Sequence, residues 1–189
     1  MDLPWGDERT VLFITNVGLV TSDGPHGPNI MAVEWTHHVS YRPGLIAICI
    51  GKKRATYENI MKTREFGVNL CAADDFIMSS VSGGYSARDL DKIAALKELG
   101  FEFYEGKKIN ALMVKGASLN AECKLVQHVE LGSHVMMVGE VLTASATERK
   151  PLAYHQGKYW RMTTPVEKLS QEQRDHNKKV IMKHERNKA

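Results

Sequence analysis

Between Gly51 and Thr56 the chain reads GKKRAT, three consecutive cations and then a hydroxyl residue at the start of a run with helical spacing. The first N–H groups of a helix have no partner inside it, and the helix dipole favours negative charge at that end. Lys52, Lys53, Arg54 and Thr56 are therefore the residues that could hold an anion. Arg54 suits a phosphate best, because a planar fork of donors that never loses its charge fits a phosphate better than a lysine does. Glu58, in the first turn of the same helix, competes for that positive end.

Other residue types with chemical potential have plainer readings. Cys123, His128 and His134 match no zinc spacing, and no metal site is expected. Asp74 and Asp75 read as a helix start. His37, His38 and His134 taken alone are surface or satisfied histidines. There is no GxGxxG, and Gly51-Lys52 lacks the earlier glycine of a Walker A loop, so any nicotinamide nucleotide would bind without those fingerprints. No acid–base dyad stands out, and no catalytic residue is assigned.

A chain of 189 residues is most simply one domain with a substantial core. The net charge of +3 is unevenly placed. From Val166 onward there are seven Lys/Arg and four Asp/Glu, leaving eighteen of each before it. A balanced body argues against nucleic acid as a partner, and the basic excess belongs to the tail. No apolar run approaches the length of a membrane helix, and the polar first eight residues do not read as a signal peptide. Three cysteines, Cys49, Cys71 and Cys123, sit in apolar runs. They read as buried thiols of a cytoplasmic protein.

The elements that must position the basic segment follow from periodicity. Strands are expected over Arg9–Asn16, Ile30–Thr36, Leu45–Ile50 and Phe66–Cys71, with His37–Pro43 as a polar turn. Helices are expected from Thr56 to Thr63, from about Asp74 to Gly83-Gly84, and from a Ser86/Asp89 capping box through Leu99, with Gly100 as its stop. Ala121–Glu130 and His134–Ala144, joined by Leu131-Gly132-Ser133, read as a hairpin. Short strands near Leu152–His155 and Tyr159–Met162 close a body of residues 1–165, and residues 166–189 form a charged, helical tail. The fold class is mainly β, an antiparallel barrel or sandwich with inserted helices.

The order and spacing of several segments resemble the flavin reductase-like family, the FMN-binding split barrels. They are Asn29–Trp35 (NIMAVEW), His38-Val39-Ser40 with Pro43, Lys53–Thr56, Glu65–Leu70 (EFGVNL), Ala121–Cys123, Ser133-His134 with Val138–Val141, and Pro151-Leu152 with Tyr159. Together they span roughly residues 9 to 162. The resemblance implies a Greek-key antiparallel barrel and a homodimer with FMN, or possible FAD, near the subunit interface. It also implies NAD(P)H as electron donor, a small-molecule acceptor, and no nucleic-acid or membrane partner. On this sequence it would set Asn29, Met31, Ala32, Val33 and Trp35 along the isoalloxazine ring. Ser40, Arg54 and Thr56 would lie near the ribityl phosphate, with Lys92 and His134 as further contacts. The activity implied is a flavin reductase. A non-enzymatic FMN carrier of the flavoredoxin kind, or a barrel that has lost its flavin, are the alternatives.

Overall fold

The computed structural model describes residues 1–4 and 6–185. Its strands are β1 (Thr15–Asn16), β2 (Gly18–Ser22), β3 (Asn29–Val33), β4 (Thr36–Tyr41), β5 (Gly44–Ile50), β6 (Glu65–Leu70), β7 (Phe103–Glu105), β8 (Leu112–Val114), β9 (Leu119–Leu131), β10 (His134–Ala146), β11 (Leu152–His155) and β12 (Lys158–Arg161). The helices are α1 (Ala55–Thr63), α2 (Phe76–Gly84), α3 (Lys92–Glu98) and α4 (Gln171–Met182).

Seven strands form one antiparallel sheet in the order β3-β2-β6-β9-β10-β5-β4. Its two edge strands, β3 and β4, are consecutive in the chain and separated only by a bend at Glu34-Trp35. The sheet must therefore curl until its edges meet, which makes a barrel, and it stays open where β3 and β4 diverge. That split faces the GKKRAT segment. The Cys49 N–H donates to the Trp35 carbonyl across it at 3.0 Å.

Strands buried on both faces hold the fold together. β2 places Val20 in the barrel interior with Ile48, Ile60, Phe66 and Met137. Its neighbours Val17 and Leu19 point the other way, into a second core with Ile30, Met78, Ile93 and Leu96. The second core is what docks α2 and α3 onto β3. Close packing also dictates Gly139, where a Cβ would sit 2.5 Å from Phe66 Cζ and 2.8 Å from Cys123 Cβ.

Four expectations are corrected. Arg9–Asn16 is a 3-10 turn at Thr10–Leu12 and then the two-residue β1, because only Thr15 and Asn16 find a partner strand, β11. The strand begun at Asn29 stops at Val33 and not at Thr36, since the bend hands the chain to the other edge. His37–Pro43 is mostly strand β4, with the turn confined to Arg42-Pro43. His37, His38 and Val39 of this edge strand are all exposed, so both of its faces read as polar, and that resemblance to a turn misled the sequence reading. Ser86–Leu90 is a turn and not the first turn of a helix. α3 starts at Lys92, where the Asp91 carboxylate accepts the Ala94 N–H at 2.9 Å.

In the tail, α4 opens with a capping box between Ser170 and Gln173 and buries no residue. The expected helical tail extends to 189, and its last four residues lie outside the described ones.

Candidate functional site

Two adjoining cavities open at the barrel split and share Met31, Ala32, Lys53 and Arg54. The larger, about 750 Å³, runs along Met31–Trp35 and is closed by Cys49, Gly51–Lys53, Ser133 and His134. The smaller, about 140 Å³, lies between the start of α1 and the end of α2, with Asn29, Thr56, Ser82, Tyr85–Ala87 and Lys92 in its wall. The sequence order puts Arg54 at the N-cap of α1, and no side chain caps that helix. Its leading N–H groups are thus left for a ligand.

The smaller cavity is cationic and its polar groups are poorly satisfied. Lys92 is 4% exposed, and its Nζ donates to the Ser82 carbonyl at 3.1 Å. That carbonyl belongs to the last turn of α2, the end of a helix that favours a cation. No carboxylate lines this cavity, and among the described residues neither Lys92 nor Arg54 forms an ion pair. Burial, and then the nearby charge of Arg54, push the Lys92 ammonium down to about 8. Asn29 Nδ2 donates to Thr56 Oγ1 at 2.8 Å, which leaves the Thr56 hydroxyl hydrogen free to donate elsewhere. Among the described residues, the Ser82 hydroxyl and the Asn29 side-chain amide oxygen are buried with no partner. Such groups cost stability unless something completes them. A phosphate would be completed here by two cations, two hydroxyls and a helix N-terminus.

Glu58 does not compete for that position. It turns away to meet His26 Nε2 at 2.5 Å and Arg88, and these two partners hold its carboxyl below the usual range.

The larger cavity is built differently. Its floor is β3, an edge strand paired only with β2, so one side of its backbone is open to a ligand. Ala32 leaves room for α2 to approach, and a Cβ on Gly83 would lie 3.2 Å from Ala32 Cβ. Trp35 and His134 pack with ring centroids 4.7 Å apart, and His134 Nδ1 meets Ser133 Oγ at 2.8 Å. Lys52 is drawn aside by Glu130 at 2.7 Å. Cys49 is half-buried, and burial raises its thiol; Cys71 and Cys123 are pushed up to about 12 by burial first and nearby acids second. None of the three is a ready thiolate.

Of the sequence-derived residues, Asn29, Met31, Ala32, Val33, Trp35, Arg54, Thr56, Lys92 and His134 all line one cavity or the other. Ser40 does not. It pairs with Leu45, at the opposite end of β5 from Gly51 and roughly 20 Å along the strand, so within one chain it lies outside both cavities. Sequence reasoning passed over Glu34, whose half-buried carboxyl lines the cleft and is raised by burial. It also gave no role to Cys49 and Tyr85. No spacing signals them, because the docking of α2 and the closure of the barrel bring them in.

A barrel split at one seam, with a cationic pocket at the end of an open strand edge, offers a place for a flat ligand with an anionic end. Comparison with known proteins makes this specific. The profile of the flavin reductase like domain matches residues 10–163. The chain therefore belongs to the flavin reductase-like family, flavin-handling oxidoreductases. FMN reductase (NADH) SmoA of Agrobacterium fabrum is 26% identical over 153 residues, 80% of this chain and 81% of that protein. The reductase component of a 4-nitrophenol 4-monooxygenase/4-nitrocatechol 2-monooxygenase from Rhodococcus opacus is 27% identical over 150 residues, 78% and 74% of the two chains. Among solved structures, the NADH:FAD oxidoreductase SgcE6 of Streptomyces globisporus aligns with TM-score 0.75 at 23% identity, over 87% of this chain and 99% of that one, which establishes the split-barrel fold.

Proposed function

We propose that the protein is an NAD(P)H-dependent flavin reductase whose bound flavin is FMN, working as a homodimer in the cytoplasm and delivering electrons to a small acceptor or a partner monooxygenase. The observation that carries the reading is the smaller cavity: buried Lys92, Thr56 and Ser82 converge with exposed Arg54, no acid among them, beside the larger cleft along β3. Bound FMN would supply the redox chemistry, taking a hydride from the nicotinamide and passing electrons onward.

The protein's own residues bind and orient. Arg54 and Lys92 neutralise the phosphate, and Thr56 donates its free hydroxyl hydrogen. The open edge of β3 offers backbone donors to a flat ring, and Ala32 permits close approach. Trp35 and His134 form the wall beside which a second flat ring can stack, so positioning rather than acid–base catalysis is the chain's main contribution. The family relationship and the names of its relatives support the nicotinamide-dependent activity, and the monooxygenase reductase from Rhodococcus opacus supports a partner oxygenase as acceptor. The homodimer is supported by exposed apolar side chains Ile14, Trp35 and Met162 around a further cavity of about 440 Å³. Ser40, far from the site in one chain, belongs to this reading only if the partner subunit brings it there.

Two measurements test the function. The purified protein should bind FMN, seen as quenching of flavin fluorescence, and oxidise NADH or NADPH in steady state with added flavin. Tight FMN binding with negligible nicotinamide oxidation would make the protein a carrier. No flavin binding at all would sink the reading. Sedimentation at micromolar concentration should give a dimer.

A further inference from the structure

The strip that follows α2 has no regular structure, yet Tyr85, Ser86 and Ala87 form one wall of the phosphate pocket. One side chain ties this strip to the rest of the site. Glu58, in the first turn of α1, accepts from Arg88 Nη2 with one oxygen and meets His26 Nε2 at 2.5 Å with the other. Both ends of this bridge are anchored. The His26 N–H donates to Asn59 Oδ1 at 3.0 Å, and fully buried Asn59 donates to the Gly27 carbonyl at 3.0 Å and to Ser22 Oγ at 3.2 Å. On the other side, Ser86 Oγ accepts the Arg88 N–H at 3.1 Å, and the Ser86 carbonyl accepts the Asp89 N–H at 3.1 Å. The bridge thus fastens the strip down over the start of α1.

We propose that the His26–Glu58–Arg88 bridge closes the phosphate pocket at its outer end and so selects FMN over FAD. The proposal rests on the flavin reading above and adds which flavin the site takes and which residues decide it. FMN ends at its phosphate, and a cavity of about 140 Å³ accommodates such a group. FAD carries a second phosphate and an adenosine beyond it, and these need an exit. The inner walls supply none, since Asn29, Thr56, Ser82 and Lys92 are all buried there. The other walls reach the surface at Lys53 and Arg54, which the phosphate itself engages, and at Gly83 and the 85–88 strip, so the adenosine would leave along that strip, which the bridge holds in place.

Glu58 and Arg88 are both partly exposed, with side chains 43% and 42% accessible. An ion-pair network of that exposure shifts an equilibrium modestly. The test is the dissociation constant of each flavin, measured by fluorescence titration for the unaltered protein, Arg88→Ala and Glu58→Ala, with thermal unfolding to confirm that each variant is folded. The unaltered protein should prefer FMN by about tenfold or more, since a site discriminates through the cost it imposes on the wrong ligand. In both variants FAD should bind roughly three- to tenfold more tightly, with FMN changed by less than about twofold. The two substitutions remove opposite charges, so a shift of the same sign in both comes from the bridge and not from net charge. Equal affinity of the unaltered protein for both flavins, an unchanged preference in both folded variants, or shifts of opposite sign would overturn the proposal while leaving FMN binding intact. Failure to bind either flavin would overturn the flavin reading itself and this inference with it.

Discussion

The two ends of α2 treat charge in opposite ways. At its N-terminal end Asp75 takes both guanidinium nitrogens of Arg149, at 2.7 and 2.9 Å, and Asp74 takes Arg161. Arg149 also donates to the Gly116 carbonyl at 2.7 Å, so one side chain joins the helix, the turn at residue 116 and the segment leading to β11. At the C-terminal end Lys92 is more deeply buried, has among the described residues the Ser82 carbonyl and no carboxylate for a partner, and faces another cation in Arg54. The first arrangement completes itself and serves the fold. The second is costly, because a buried charge without a counter-charge is disfavoured, and an anion would complete it. A cation whose counter-charge is supplied by the chain serves the fold; one buried without a counter-charge is, on the function proposed above, held for the ligand.

Substitutions at the two ends should therefore have crossed phenotypes. The largest effect is expected for Lys92→Met. It should weaken FMN binding by about 2–3 kcal/mol, the scale of a hydrogen bond to a charged group, while stabilising the flavin-free protein by about 1–2 kcal/mol because an unpaired buried charge is removed. Fluorescence titration and thermal unfolding without flavin measure the two sides; a destabilised Lys92→Met would break the comparison. Arg149→Ala should do the reverse. It should cost about 2 kcal/mol of stability, between the values for exposed and buried pairs, with FMN affinity unchanged. A loss of affinity in the folded variant would show that the paired end also serves the ligand.

The third expectation concerns pH. The Lys92 ammonium, depressed to about 8, is charged below that pH, and a bound phosphate favours the charged form and raises its pKa. FMN affinity should hold up to about pH 8 and then fall by up to about tenfold per unit until the bound-state pKa is passed. The slope should vanish in Lys92→Met. In the flavin-free protein the sign is opposite. The unfolded chain binds the proton more strongly between about 8 and 10.5, so this group's contribution to stability rises with pH over that window. The smallest effect is expected for Ser82→Ala. Deleting its partnerless hydroxyl should leave the flavin-free protein as stable as before and weaken FMN binding by about 1 kcal/mol.

Much of the site was legible before the fold was. The GKKRAT segment reads as an anion site from its order alone, and Arg54 stands at the N-cap of α1 as that reading requires. The long hairpin was equally legible, since Gly132 separates two runs of strand residues, and β9 and β10 extend only a residue or two past the expected ends. The edge of the barrel was not. His37 to Tyr41 alternate in no useful way, because this strand at the rim has exposed residues on both faces and needs no apolar face. The bend at Glu34-Trp35 was missed for a related reason. A strand pattern continues smoothly through it, and only pairing shows that the chain has crossed from one edge of the sheet to the other.

Local spacing determined which residues share a strand or open a helix, because those relations depend on a few neighbouring dihedrals and on side-chain periodicity. It placed Arg54 beside Thr56, and Met31 to Val33 on one strand. Tertiary structure alone decided that Lys92 and Ser82 face Arg54, that Ser40 lies at the far end of its strand, and that Glu58 points to His26 and Arg88. These follow from burying Ile30, Met78, Ile93 and Leu96 in one shared core. The free energy of that burial depends on which distant faces meet, a choice that no local window of the chain contains.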